Sequence, residues 1–222
     1  MAISDNPTLS EEQKSLLARF CTSSLREDFY LTGGTALSAF YLQHRLSEDL
    51  DFFSERDVGI EEVLDFVKSL PGVTDVQYER KYDRKIFLLR LPGAKTMKVE
   101  FTRYPFPRLE AGPVIERVQV DSLGDILVNK LMAMTDRLDA KDYVDLYCAF
   151  RTHPELDLQQ LVEHTAVKFG VKGVHHILKG RFLGPLPPLG ILKIHGELDK
   201  EDMARFFAAK AREWIVRSTD EP

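Results

Sequence analysis

"LTGGTALSAFYLQHRLSEDLDFF", residues 31–53, decides the reading of this chain. "DFYLT" at 28–32 is a short β-favouring run into Gly33 and Gly34, "TALSAFYLQH" spaces its apolar residues as a helix does, and "DLDFF" is β-favouring again. Strand, tight turn, helix and second strand are therefore predicted in that order. Side chains on a strand alternate faces, so Asp49 and Asp51 project to one side and Leu50 and Phe52 to the other. Two carboxylates in one small volume repel, and one tends to take up a proton unless a cation joins them; hard oxygen donors favour magnesium. Glycines at a strand-to-helix turn leave backbone N–H groups open to a phosphate with no Cβ in the way, and Thr35 adds a hydroxyl. Taken singly, D-x-D is weak evidence, because Asp near a strand start often forms a turn, and the glycines alone would be satisfied by a turn without a ligand. Their spacing supplies the link: a helix of about three turns returns the chain to an adjacent strand and brings phosphate cradle and metal ligands together.

A third carboxylate is sought on a neighbouring strand. In "TMKVEFTRY", residues 96–104, Met97, Val99 and Phe101 alternate with Lys98, Glu100 and Thr102, giving one apolar and one polar face. Alternation by itself says only that one face is solvated, but Glu100 there would complete a three-carboxylate site. Such a site can hold two magnesium ions, one activating an attacking hydroxyl and one steadying the leaving phosphates.

"GGTAL" followed by "HRLSEDLDFF" resembles the signature of the AbiEii/AbiGii-type nucleotidyltransferase toxins, within the DNA polymerase β-like nucleotidyltransferase superfamily: the glycine pair, Arg45, Ser47 and both acids come in order. The resemblance implies an α+β fold, a small mixed sheet flanked by helices with a helical region after it. It also implies transfer of a nucleotide from an NTP, often to tRNA, by the toxin of a type IV-like toxin–antitoxin or phage-defence system whose antitoxin is encoded beside it. Asp49, Asp51 and Glu100 become the metal ligands, although Glu stands where Asp is frequent. Gly33, Gly34, Thr35, Arg45 and Ser47 become nucleotide contacts.

The 222 residues, 44% of them hydrophobic, suffice for one large domain or two small ones. No apolar run approaches the roughly 18–20 residues needed to cross a bilayer, and the acidic, polar start "MAISDNPTLSEEQ" is unlike a signal peptide, so a cytoplasmic protein without membrane contact is expected. Cys21 and Cys148 are far apart and read as buried thiols. The net charge of -5 argues against coating nucleic acid by charge alone. From His164 to His195, however, no acid occurs, while Lys168, Lys172, Lys179, Arg181 and Lys193 do, with His175 and His176. That basic stretch, 168–193, is the candidate RNA contact, with a solvated surface as its plain alternative.

"TLSEEQ" offers Thr8 and Ser10 as helix caps, with Glu11 three after Thr8 as in a capping box. A helix is expected before Pro71, then strands at 73–80, 84–91 and 96–103. Pro105, Pro107, Gly112 and Pro113 mark an irregular passage, which puts the division between a nucleotidyltransferase core, 1–110, and a helical domain, 111–222. Helices are expected at 122–137, 140–151, 157–169, 172–181 and 199–217.

On a wheel begun at Leu123, Lys130 and Arg137 fall within the apolar arc of Ile126, Leu127, Leu131 and Met134. Either their stems snorkel to the rim, or a buried anion such as a triphosphate meets them. The family resemblance, which includes a Lys, then an Arg, then a "KDYVDL"-like run, favours nucleotide contact by Lys130, with a catalytic share in neutralising pyrophosphate. Arg137 and Asp142 are assigned with it, and Asp142 and Asp145 would orient Lys130, Arg137 or the substrate. The leading expectation is thus a magnesium-dependent nucleotidyltransferase. Transfer of NMP to a protein hydroxyl, or a non-catalytic nucleotide-binding or interaction module on the same fold, are the alternatives.

Overall fold

The computed structural model describes residues 2–190 and 192–219. Ser10 caps the first helix, α1 (Glu11–Phe20): its hydroxyl accepts from the Gln13 N–H at 3.2 Å, and the Gln13 side chain accepts from the Ser10 N–H at 2.9 Å. The capping box is therefore Ser10 with Gln13. Thr8 is turned inward instead, its N–H and hydroxyl both donating to Asn6 Oδ1.

β1 (Tyr30–Thr32) runs directly into α2 (Gly33–Leu37), which continues as one π-helical stretch, Ser38–Leu42, and stops where Gln43 adopts a left-handed φ of 51°. The chain returns in β2 (Leu50–Ser54), antiparallel to β1, with Thr32 opposite Asp51. After α3 (Ile60–Lys68) come β3 (Asp75–Lys81), β4 (Arg84–Leu91) and β5 (Lys95–Arg103). The sheet order is β1-β2-β5-β4-β3, and β2 and β5 are its parallel pair. That pairing follows from α3 and the β3–β4 hairpin intervening between the two strands, since parallel neighbours need a crossover.

One face of the sheet is aromatic. Phe52 of β2 stacks on Phe101 of β5 with ring centroids 5.0 Å apart, Phe20 of α1 lies 4.4 Å from Phe52, and Phe66 of α3 meets Phe101 edge-on. Burying each such ring stabilises the fold by roughly 1.5–3 kcal/mol. This face fixes the register, because a one-residue slip would carry the Phe residues out and the acids in.

A small hairpin, β6 (Val114–Ile115) and β7 (Val118–Gln119), follows. Val118 and Val120 are fully buried, Val120 bridges to Leu31, and the Asp121 N–H donates to Leu31 O at 2.8 Å. The two compact units are accordingly Met1–Leu123 and Gly124–Pro222, so residues 111–123 pack with the first rather than with the helices. Proline and glycine around 105–113 mark a bend in the chain, not the end of its core.

The second unit is helical: α4 (Leu123–Asp136), α5 (Ala140–Thr152), α6 (Leu158–Phe169), α7 (Val174–Leu183) and α8 (Lys200–Thr219). Asp139 caps α5 and Asp157 caps α6, each side chain accepting from N–H groups of the first turn. Tyr143, Phe182 and Phe207 pack edge-to-face and tilted at the centre of this unit. Among the described residues no helix is long and apolar enough to cross a membrane.

Candidate active site

The first unit brings the quoted glycines onto the quoted acids. Gly33 has a φ of +75°, and a Cβ built there would overlap the Asp51 carboxylate. At Gly34 a Cβ would lie 2.6 Å from Arg45 Nη2 and 3.1 Å from Ser47 Oγ. Glycine is needed at both places because side chains already occupy the space. Buried Arg45 donates through Nη1 to Leu46 O, and the Ser38 hydroxyl donates to Arg45 O. Gln13, from the α1 cap, donates to Ser47 O at 2.8 Å, so the helix cap also holds the loop that carries Ser47. The Thr35 hydroxyl is turned to the Asp49 carbonyl and the residue is 2% exposed. Thr35 thus steadies the start of β2 beside the glycine turn.

Asp51 and Glu100 stand directly opposite each other on the parallel strands β2 and β5, and therefore on the same face. Leu50 and Phe52 fill the core behind them. Glu100 is 3% exposed, so at this residue the polar face of β5 is covered, not solvated as alternation allows. Arg84 of β4 grips it in a fork, Nε to Oε1 at 2.5 Å and Nη2 to Oε2 at 2.6 Å, and Thr102 donates to Oε1 at 2.9 Å. Asp49, just before β2, accepts from Lys98 Nζ at 2.8 Å, and the same ammonium lies 3.9 Å from Glu100 Oε2. Lys98 and Arg84 are each raised in pKa. For Lys98, burial opposes its charge, but the hydrogen bond to Asp49 and the charges of Asp49, Asp51 and Glu100 outweigh it. For Arg84 the Glu100 hydrogen bonds lead, with charge from Asp51 and Asp49 adding to them.

The three carboxylates share a face, yet they are not gathered about one point. Among the described residues no group of three His, Cys, Asp or Glu side chains is arranged to hold a metal ion. Glu100, expected as the third ligand, is committed to Arg84. The donor chemistry still fits a hard divalent cation at Asp49 and Asp51, the Asp51 carboxylate lying against the glycine turn and the Asp49 carbonyl against Thr35.

Burial alone would raise the Glu100 carboxyl, but the Arg84 hydrogen bonds and charge, with Thr102 and Lys98, hold it below its usual 4.5. A carboxyl lowered in the folded state contributes stability that is complete above the unfolded pKa and is lost as pH falls through the folded one. The urea midpoint of the protein should therefore exceed that of Glu100→Gln by a constant margin above pH 4.5, and the margin should shrink on further acidification. A margin that stays level to about pH 3 would show that the fork does not hold the charge.

In the second unit Lys130 is nearly buried and its Nζ lies 2.5 Å from Asp145 Oδ2 and 3.2 Å from Asp142 Oδ1, both aspartates on α5 and fully buried. Arg137, half exposed, donates from Nε to Asp142 Oδ2 at 2.9 Å. The expectation that both cations sit in the apolar arc holds for Lys130, which is buried, and not for Arg137, which lies past the end of α4 and is exposed; the aspartates named beside them are the ones they meet. No triphosphate is needed to balance them, because two carboxylates already do. Of the basic stretch, Lys168 is buried with its Nζ 2.6 Å from Asp125 Oδ1, and Arg181 donates to the Met134 and Thr135 carbonyls at the end of α4. Those two cations face inward, while Lys172, His175, His176 and Lys193 are exposed. Burial and the neighbouring charges of His176 and Lys179 lower the His175 pKa.

With a glycine turn seated on paired strand acids, comparison with known proteins becomes specific. The family described as "Nucleotidyl transferase AbiEii toxin, Type IV TA system" matches residues 15–216. The chain belongs to the AbiEii nucleotidyltransferase toxin family. It is similar to the uncharacterized protein aq_aa25 of Aquifex aeolicus (strain VF5), 31% identical over 165 residues, which covers 72% of this chain and 76% of that one. Among solved structures, JHP933 from Helicobacter pylori aligns with a TM-score of 0.59 at 19% identity over 96% of this chain and 100% of its own. MenT4, a nucleotidyltransferase toxin from Mycobacterium tuberculosis H37Rv, aligns with a TM-score of 0.58 at 17% identity over 96% and 87%. At such identities the structures establish the fold, a polymerase β-like nucleotidyltransferase core, and family membership makes this AbiEii chain a transferase enzyme acting on NTPs.

Lys98 and Arg84 went unrecognised as site residues in the sequence. Lys98 carries a signal, since it shares the polar face of "TMKVEFTRY" with Glu100; Arg84 becomes visible once the β4–β5 hairpin register sets it opposite Thr102.

Proposed function

We propose that this AbiEii protein transfers a nucleotide from an NTP to the hydroxyl of an RNA, tRNA in particular, as a toxin held in check by an antitoxin encoded beside it. The observation that carries the reading is Asp51, set in register with Glu100 and packed against Gly33. Asp49 and Asp51 would hold the divalent metal, which supplies a positive centre for the triphosphate when bound. The turn at Gly33 and Gly34 would offer backbone N–H groups to the triphosphate while admitting Asp51, Arg45 and Ser47 close to it, and Arg84 keeps Glu100 charged and oriented. In the second unit Lys130 and Arg137, both held by Asp142, are the candidates for a further phosphate contact. Positioning and charge complementarity then carry most of the catalysis.

The RNA contact is assigned to the outward part of the 168–193 stretch. Lys172 and His175 line a cavity of about 660 Å³ with Trp214 and Val167, which pairs cationic and aromatic groups as unpaired bases require. Incubation with each α-labelled NTP and total tRNA should label the RNA. Label in polypeptide with none in nucleic acid would make the acceptor a protein hydroxyl, and NTP binding without transfer to any acceptor would leave a binding module. Lys172→Glu combined with Lys179→Glu should reduce RNA labelling by about threefold to tenfold and flatten its dependence on salt, because phosphate contacts release counterions. Unchanged labelling and salt slope would move the RNA surface elsewhere.

A further inference from the structure

The carboxylate face carries its own cation. Lys98 projects from β5 two residues before Glu100 and lies on Asp49, its side chain 34% exposed. A half-exposed lysine is free to extend into water, and side-chain entropy favours that. Here it folds back, because Asp49, Asp51 and Glu100 together outnumber Arg84 and attract a second positive charge. The Lys98 ammonium lies 2.8 Å from Asp49 Oδ2, an oxygen that a metal held by Asp49 would also draw on. Two cations at one carboxylate oxygen repel, and more so on a half-buried face than in bulk water.

We propose that Lys98 is a resident counter-cation that keeps Asp49 from taking a divalent ion until a nucleotide arrives, whose phosphate oxygens then receive the ammonium and free the carboxylate. The inference rests on the reading of Asp49 and Asp51 as metal ligands, and it goes beyond that reading by coupling metal affinity to nucleotide. Lys98 exchanges one anionic partner for another, so no charge is stranded. Arg84 cannot make the same exchange, because its fork engages both oxygens of buried Glu100. Lys98 is thus a positioning residue whose first partner belongs to the protein and whose second belongs to the substrate. Coupling of this kind is reciprocal: nucleotide must tighten metal binding by the factor by which metal tightens nucleotide binding.

Mn2+ binding to the full chain, measured by the loss of the free-ion electron paramagnetic resonance signal with and without a non-transferable α,β-methylene NTP analogue and corrected for the Mn2+ that the analogue takes up without protein, tests this without any turnover. Wild type should bind Mn2+ weakly alone and about tenfold or more tightly with the analogue. Lys98→Met, which keeps the stem and removes the charge, should bind Mn2+ alone about tenfold more tightly than wild type, so its gain from the analogue should be about tenfold smaller. Lys98→Arg should retain the wild-type pattern, and Lys98→Gln repeats the neutral test if the methionine variant folds poorly. If Lys98→Met and Lys98→Gln bind Mn2+ as wild type does while Asp51→Asn weakens it, the metal reading stands and the gate is refuted. If no variant binds Mn2+ in either condition, both fail together.

Discussion

Lys168→Met is expected to remove about 3–5 kcal/mol of folding stability, a large share of the roughly 5–15 kcal/mol a domain possesses. Lys168 Nζ lies 2.6 Å from Asp125 Oδ1, with the two side chains 1% and 0% exposed. Methionine preserves the length and apolar stem of lysine and suits a helix equally well, so the loss reports the carboxylate left without its cation. Lys168→Met with Asp125→Asn should recover much of it, since removing both charges leaves none stranded. Arg205 supplies the contrast. It lies within 4 Å of Asp199, Glu201 and Asp202 but is 64% exposed, and Arg205→Ala should change stability by less than about 1 kcal/mol. Urea unfolding followed by far-ultraviolet circular dichroism measures all three. A single Lys168 variant as stable as the Arg205 one, or a double variant no better than the single, contradicts the ion-pair account.

That pair also shows where sequence reading stops. A run of residues without acids identifies a basic stretch but not the direction of each side chain. Lys168 falls on the buried stripe of α6 with Leu158, Leu161, Val162 and Thr165, so helical periodicity, applied to the polar residues as well as the apolar ones, would have turned it inward. The same periodicity did succeed on α4 for Lys130, which it set toward the core, whereas Arg137 lies just past the helix and is exposed; the run "KDYVDL" held the aspartates that meet them. In the first unit, period-two alternation identified Asp51 and Glu100, because a strand with one aromatic face leaves its other residues no choice of side. Which cation serves which acid depended on strand order. The parallel β2–β5 pairing and the β4–β5 hairpin bring Lys98 to Asp49 and Arg84 to Glu100 across gaps of 49 and 16 residues, and no local pattern encodes such distances. The division expected near 110 differs from that of the compact units, after Leu123, for a related reason, since Val120 joins Leu31 through a contact that local composition does not reveal.

Gly33→Ala is expected to lower nucleotide transfer by about 100-fold or more while leaving the protein folded, because a misplacement near 1 Å at a reacting group has that effect. Two separate costs meet at this position. The backbone φ of +75° suits glycine, and an alanine there adds roughly 1–2 kcal/mol of strain. The new Cβ would overlap the Asp51 carboxylate and push it from its place opposite Glu100. Gly33→Asn separates the costs: asparagine tolerates the left-handed region better than alanine yet brings the same Cβ, so it should unfold at a higher urea concentration and be just as inactive. Gly34→Ala should behave differently. Its Cβ would crowd Arg45 Nη2 and Ser47 Oγ, the movable ends of side chains, so the expected change is a rise of about tenfold in KM for the NTP with a smaller loss of kcat. Asp51→Asn provides the floor. If both Gly33 variants fall close to that floor and Gly34→Ala stays well above it, the glycine serves the acid behind it. A Gly33→Asn enzyme within threefold of wild type would mean that Asp51 can shift without consequence, and the close seating of turn on carboxylate would lose its catalytic meaning.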